Sequence, residues 1–202
     1  MAVSLKKGQR VDLTKNDPGL SKLMIGLGWD PVKSGGKGLM GGLFGGGSAP
    51  NIDCDASVLM LDENGKIRDK KDIVYFANLK SKCGAVIHSG DNLTGDGDGD
   101  DEQVLVELSS VSPKTSKLVF VVNIYACEKR KQDFGMIQNA FIRAVDANRN
   151  NEILRYNLTD DYSGATSLIV GELYRHGGQW KFAAIGQGTR DTSISSIVKK
   201  YM

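Results

Sequence analysis

Short apolar runs recur along the chain, separated by clusters of Gly, Asn, Asp and Ser. Leu23–Leu27, Ala56–Leu61, Ile73–Phe76, Ala85–His88 and Val104–Leu108 read as strands, as do Leu118–Tyr125, Ala140–Val145, Ile153–Leu158, Ser167–Tyr174 and Trp180–Ile185. Val3–Leu5 and Arg10–Leu13 flank a turn-like Lys6-Lys7-Gly8-Gln9 and read as a further pair. Asp62-Glu63-Asn64-Gly65 and His176-Gly177-Gly178 carry the residue types of hairpin turns. So many short strands at this spacing predict a mainly β protein, a two-sheet β-sandwich.

Two segments carry helical patterning instead. Phe134–Ala140 predicts a short internal helix. Thr192–Met202 predicts a C-terminal helix in which Ile194, Ile197, Val198 and Tyr201 share one face. Asp191 stands where a cap is needed, and Lys199 and Lys200 suit the negative end of the helix. The apolar face is expected to dock on the sandwich. Residues 34–47 are dominated by glycine, which loses too much backbone entropy on ordering to form helix or strand by itself. The chain therefore reads as a single domain over residues 1–202 with a flexible glycine-rich insert at about 33–50.

Composition narrows the function. With 40% hydrophobic and 25% charged residues, the chain has the balance of a globular protein with a sizeable core. A net charge of +2 argues against nucleic acid or an anionic membrane as partner. No run approaches the roughly 20 apolar residues of a membrane span, and no apolar run of signal length opens the chain. No integral membrane association and a cytoplasmic location are the expectations. Cys54, Cys83 and Cys127 form neither a disulfide framework nor a zinc pattern, and reduced thiols fit that location. His88 and His176 have no recognisable nucleophile partner, so the chain reads as a binder and not an enzyme. His88 ends a strand just ahead of the acidic loop described next, placed to orient one of its residues.

The charge is unevenly spread. Asp91, Asp96, Asp98, Asp100, Asp101 and Glu102 fall in one stretch with no basic residue among them. Two like charges 4 Å apart repel by roughly 1 kcal/mol in water and about 4 kcal/mol at an effective dielectric of 20. A divalent cation removes that conflict. Calcium suits the loop best, because it takes six to eight oxygens in loose geometry. Gly95, Gly97 and Gly99 let the backbone turn tightly, and Asn92 and Thr94 offer neutral oxygens. An EF-hand does not fit: with Asp96 first, Asp101 falls where glycine is needed, and a strand-like run follows. In Asn51-Ile52-Asp53-Cys54-Asp55-Ala56 the residues alternate, so a strand puts Asp53 and Asp55 on one face and Ile52, Cys54 and Ala56 on the other. The predicted metal ligands are Asp53, Asp55, Asp91, Asn92, Asp96, Asp98, Asp100, Asp101 and Glu102.

Several motifs in order give the chain a family resemblance. Val3-Ser-Leu-Lys-Lys-Gly-Gln9, Ile25-Gly-Leu-Gly-Trp-Asp30, Asp53-Cys-Asp-Ala-Ser57 and Gly90–Glu102 are four of them. Asn139-Ala-Phe-Ile-Arg143, Gly171-Glu-Leu-Tyr-Arg-His176, Trp180-Lys-Phe182 and Gly186-Gln-Gly188 complete the set. Over nearly its whole length the chain resembles the tellurium-resistance, TerD-like stress proteins of bacteria. The resemblance implies a calcium-binding β-sandwich of the cytoplasm, associated with resistance to tellurite and other stresses, with other stress-response proteins as partners. It implies Asp53, Asp55 and the acidic loop as calcium ligands. The chain departs from the family in its longer glycine-rich stretch and in Ala126-Cys127, where the family pattern implies an aspartate. A scaffold or sensor that binds calcium is the leading expectation. A magnesium- or manganese-dependent hydrolase or phosphoryl-transfer enzyme built on the acidic cluster is the alternative.

Overall fold

The computed structural model describes residues 2–32, 52–90 and 99–202. The glycine-rich insert and residues 91–98 of the acidic loop lie outside them. Twelve strands form among the described residues. They are β1 (Val3–Leu5), β2 (Arg10–Asp12), β3 (Lys22–Pro31), β4 (Cys54–Leu61), β5 (Ile73–Val74) and β6 (Val86–His88). The rest are β7 (Glu102–Glu107), β8 (Lys117–Ile124), β9 (Ile137–Asp146), β10 (Asn151–Asn157), β11 (Ser167–His176) and β12 (Gln179–Thr189). One sheet has the order β1-β10-β9-β3-β7-β6, the other β2-β12-β11-β8-β4-β5. All pairings are antiparallel except β1 with β10. This is the two-sheet sandwich expected from the sequence.

Alternation along each strand builds the core. On β3, Leu23, Ile25 and Leu27 face inward, and on β4 so do Cys54, Ala56, Val58 and Met60, all within one buried cluster. Leu59 and Leu61 of β4 point the other way. They join Val119 and Val121 of β8 and Ile169 of β11 in a second apolar cluster on the outer face of their sheet. That face is covered by helix α2 (Ile194–Val198), which follows the short helix α1 (Cys127–Arg130) in the chain. Ile197 is 1% exposed and sits among those side chains, with Ile194, Val198 and Tyr201 beside it. The docking expected of the C-terminal segment is thus observed.

Three local expectations change. The cap of α2 is Ser193, whose side chain accepts the Ser196 N–H. Asp191 instead pairs with Lys200, and its carbonyl accepts the Thr166 and Ser167 hydroxyls at 2.8 and 2.7 Å. The helix also tightens into a 3-10 turn over Lys199–Tyr201. Phe134–Met136 forms only a 3-10 turn capped by Asp133, because Ile137 onward is drawn into β9 beside β3. The short internal helix lies earlier, at Cys127–Arg130. His176-Gly177-Gly178 does turn β11 into β12, with φ of 60° and 76° at the two glycines.

Replacing Ile197 with Ala should lower the unfolding free energy by about 2–5 kcal/mol in a urea titration, as expected for a buried Ile. A change within about 0.5 kcal/mol would show that α2 is not part of the cooperative unit.

Candidate metal centre

The acidic loop leaves β6 after Gly90 and returns at Gly99, both in left-handed or related backbone with φ of 115° and 125°. On its return it crosses the outer face of β3. A methyl group at Gly26 would overlap the Asp100 carboxylate, and one at Gly28 would overlap the Phe141 ring and the Gly99 carbonyl. The glycines of Ile25-Gly-Leu-Gly-Trp29 therefore make the trough in which the loop end lies.

Three successive carboxylates fasten that end to three different strands. Asp100 accepts from Arg143 Nε at 2.7 Å and Nη2 at 2.9 Å, a two-pronged pair with the residue that faces Gly26 across β9. Its side chain is fully buried, and Gln103 donates a further bond at 3.1 Å. Asp101 accepts the Trp29 N–H at 2.7 Å where β3 bulges, while its own N–H donates to the Leu27 carbonyl at 2.8 Å. Glu102 belongs to the inward face of β7 with Val104 and Val106. Its Oε2 accepts the Ala56 N–H of β4, 2.5 Å away in the opposite sheet.

Asp55 lies on the outer face of β4 with Ser57, Leu59 and Leu61. Its register partner Asn123 on β8 donates to Oδ2 at 3.5 Å. Asp53 stands just ahead of the strand. Its carbonyl accepts the Tyr125 N–H at 2.8 Å, and Arg130 of α1 approaches its Oδ2 at 3.6 Å. Ile52, Cys54 and Ala56 pack into the core, so the two faces divide as the alternation implies.

These groups gather around Cys54. Its thiol is pushed well above the usual range, first by burial and then by the charges of Asp55, Glu102, Asp53 and Asp101. Burial also pushes the Asp101 carboxyl up to about 6, against the pull of the Trp29 N–H and with the help of Asp30, Glu102 and Asp100. Beside Asp55, the buried Ser57 Oγ and Asn123 Oδ1 have no hydrogen-bond partner among the described residues. Carboxylate and amide oxygens suit a hard cation such as calcium. Among the described residues, however, no group of three His, Cys, Asp or Glu side chains is close enough to hold a metal alone. Asp91, Asn92, Asp96 and Asp98 lie outside the described residues.

The structure thus brings Asp53, Asp55, Asp101 and Glu102 to one end of the sandwich and ties Asp100 into an ion pair. It adds Arg143 and Arg130, which the sequence does not place against the loop or the aspartates, and it carries His88, expected beside the loop, across to β4 as well. For Glu102 and His88 a signal exists: each shares parity with inward valines, Val104 and Val86, so each is a polar group on a core face. For Arg143, which meets a residue 43 positions away, there is none. Ala126, where the family pattern implies aspartate, adopts left-handed φ of 50° and follows the residue bonded to Asp53. Cys127 is a packed core residue whose thiol points at the Thr192 carbonyl, 3.8 Å away. Among the described residues no helix is long and apolar enough to cross a membrane.

A model of the TerD domain matches residues 1–201. The stress response protein SCP2 of Bacillus subtilis (strain 168) is 65% identical over 202 residues, 100% of both chains. The general stress protein 16U of the same organism is 48% identical, over 93% of this chain and 91% of its own. The tellurium resistance protein TerD of Serratia marcescens is 43% identical, over 100% of this chain and 97% of its own. A crystal structure of a homologue of telluride resistance protein (TerD) from Streptomyces coelicolor A3(2) superposes with a TM-score of 0.66. It covers 91% of this chain and 99% of that one at 21% identity, which speaks to the fold alone.

Replacing Arg143 with Ala leaves the Asp100 carboxylate buried without its main cation. Unfolding of the metal-free protein in urea should then require about 3 kcal/mol less. Arg143→Lys should fall between, since it keeps the charge and loses the fork. Equal stability of all three proteins would contradict this assignment.

Proposed function

The chain belongs to the TerD domain family, and from that premise we propose that it serves in bacterial stress and tellurite resistance as a calcium-binding scaffold or sensor. The stress role follows the relatives named for stress response and tellurium resistance. The observation that supports the calcium reading is that Asp101 and Glu102, at the end of the acidic loop, are tied to β3 and to β4 next to Asp55, through the Trp29 and Ala56 N–H groups. Arg143 compensates Asp100. Arg130 stands 3.6 Å from Asp53. A cation coordinated by oxygens there relieves the repulsion left over. In this reading Asp53 and Asp55 supply ligands from β4, and the loop supplies the rest through Asp91, Asn92, Asp96 and Asp98. Asp101 and Glu102, each holding a backbone N–H, fix the returning end of the loop beside β3 and β4. We read the activity as binding and not catalysis, with stress-response proteins as its partners.

Thermal unfolding of the metal-stripped protein with added calcium, and magnesium in parallel, tests the reading. Calcium at one hundred times its dissociation constant should add about 2.7 kcal/mol. The gain should vanish when Asp53 and Asp55 are both changed to Asn. No shift up to millimolar calcium would refute it, and a shift with magnesium alone would favour the hydrolase alternative.

A further inference from the structure

The three cysteines differ in access. Cys54 and Cys127 are buried, whereas Cys83 is exposed, in the turn that leads into β6. That turn is closed by its own groups. The Gly84 N–H donates to the Ser81 carbonyl at 2.9 Å, the Ser81 N–H to the Val86 carbonyl at 3.0 Å, and the Val86 N–H to Ser81 Oγ at 3.1 Å. Ser81 Oγ lies 3.6 Å from Cys83 Sγ. Because that oxygen already accepts from Val86, its own proton is free to meet the sulfur. Burial opposes ionisation of the thiol, but this hydroxyl and the N–H groups of Ala85 and Ser112 outweigh it and hold the thiol below its usual range.

Cys83 also borders a cavity of about 390 Å³, walled by residues 68–72 and 112–115. Thr115 lines that cavity, is 6% exposed, and its hydroxyl enters no hydrogen bond among the described residues. A buried hydroxyl left open on a cavity wall points to a ligand that supplies its partner. The charges give the sign of that ligand. Lys82 and Asp69 pair at 2.6 Å, and the other charged groups on the wall are the cations Arg68 and Lys114 and the acid Asp72. Lys71 and Lys80 line a second groove that Cys83 also borders. The field around the sulfur therefore favours an anion.

We propose that Cys83 is a modification site: it forms a reversible mixed disulfide with a low-molecular-weight thiol that bears carboxylates, and the adjoining cavity receives those carboxylates. The Cys83 thiolate attacks one sulfur of the corresponding symmetrical disulfide. A bond forms between the two sulfurs, the original sulfur–sulfur bond breaks, and the second thiolate leaves with the electron pair and takes a proton from water. A further thiol reverses the step by the same exchange.

The test treats the reduced, full-length protein with three symmetrical disulfides: oxidised glutathione (anionic), bis(2-hydroxyethyl) disulfide (neutral) and cystamine (cationic). Mass spectrometry of the intact protein and its peptides reads the adduct, and each rate is taken relative to that of a neutral cysteine amide. Oxidised glutathione should give one adduct, on Cys83, removed by dithiothreitol and absent in Cys83→Ser. Its relative rate should exceed that of cystamine by about 10-fold or more at low salt, with the neutral disulfide between. The double variant Arg68→Ala/Lys114→Ala should lose most of that preference. Thr115→Val should lower the equilibrium yield of the glutathione adduct by about 3-fold or more. No adduct in the folded protein, an adduct on Cys54 or Cys127 in place of Cys83, or equal relative rates for the three disulfides would overturn the proposal. Should the double variant not fold, salt decides. Added salt should erase the preference of the parent for the anionic disulfide, and a preference indifferent to salt would overturn the proposal.

Discussion

At Ala56 the β4 backbone has β8 on one side and, among the described residues, no strand on the other, because β5 pairs with Val58 and Leu59. The position is deeply buried, and a buried N–H or C=O without a partner costs roughly 1–3 kcal/mol. Two side chains from the opposite sheet meet that demand, Glu102 at the N–H and His88 at the carbonyl. Much follows from this single closure. It brings a carboxylate into the interior, and it fixes both ends of the acidic loop against β4. It also sets the loop beside the aspartates that precede and follow Cys54.

The rest of the loop end obeys the same logic. A run of acidic residues cannot lie against a sandwich unless each charge finds a compensating group. Asp100 finds a guanidinium, Asp101 a backbone N–H at a bulge, and Glu102 a backbone N–H at an open edge. The compensation is uneven. Asp100 is neutralised by a forked pair, whereas the Asp101 carboxyl is pushed up to about 6 chiefly by burial. Asp53 has the Arg130 guanidinium at 3.6 Å, and Asp55 has the Asn123 amide at 3.5 Å. The forked pair with Arg143 makes Asp100 part of the framework.

The fold was legible because side-chain alternation is a strong signal where one face of a strand is buried. Cys54, Ala56, Val58 and Met60 against Asp55, Ser57, Leu59 and Leu61 is one example, and the 3.6-residue stripe of Ile194, Ile197 and Val198 is another. Phe134–Ala140 misled because its local pattern is weak and pairing with β3 overrides it. In the site, Asp53 and Asp55 were legible for the same reason as the strand itself. The work of Asp100 and Glu102 was not, since charge composition says nothing about which acid meets Arg143 across the sheet and which meets a backbone group in the other sheet. His88 was read as placed to orient the loop. That it also reaches β4 depends on how the two sheets stack, which no local pattern encodes.

In the proposed function the loop and the β4 aspartates share one calcium-binding end of the sandwich. A crystal structure of the calcium-loaded protein, with a long-wavelength anomalous map to locate the ion, tests this most directly. The expected result is a calcium peak contacted by carboxylate oxygens of Asp53 or Asp55 together with oxygens of the acidic loop. An ion held by the loop alone and remote from β4, or no ion at saturating calcium, would contradict it.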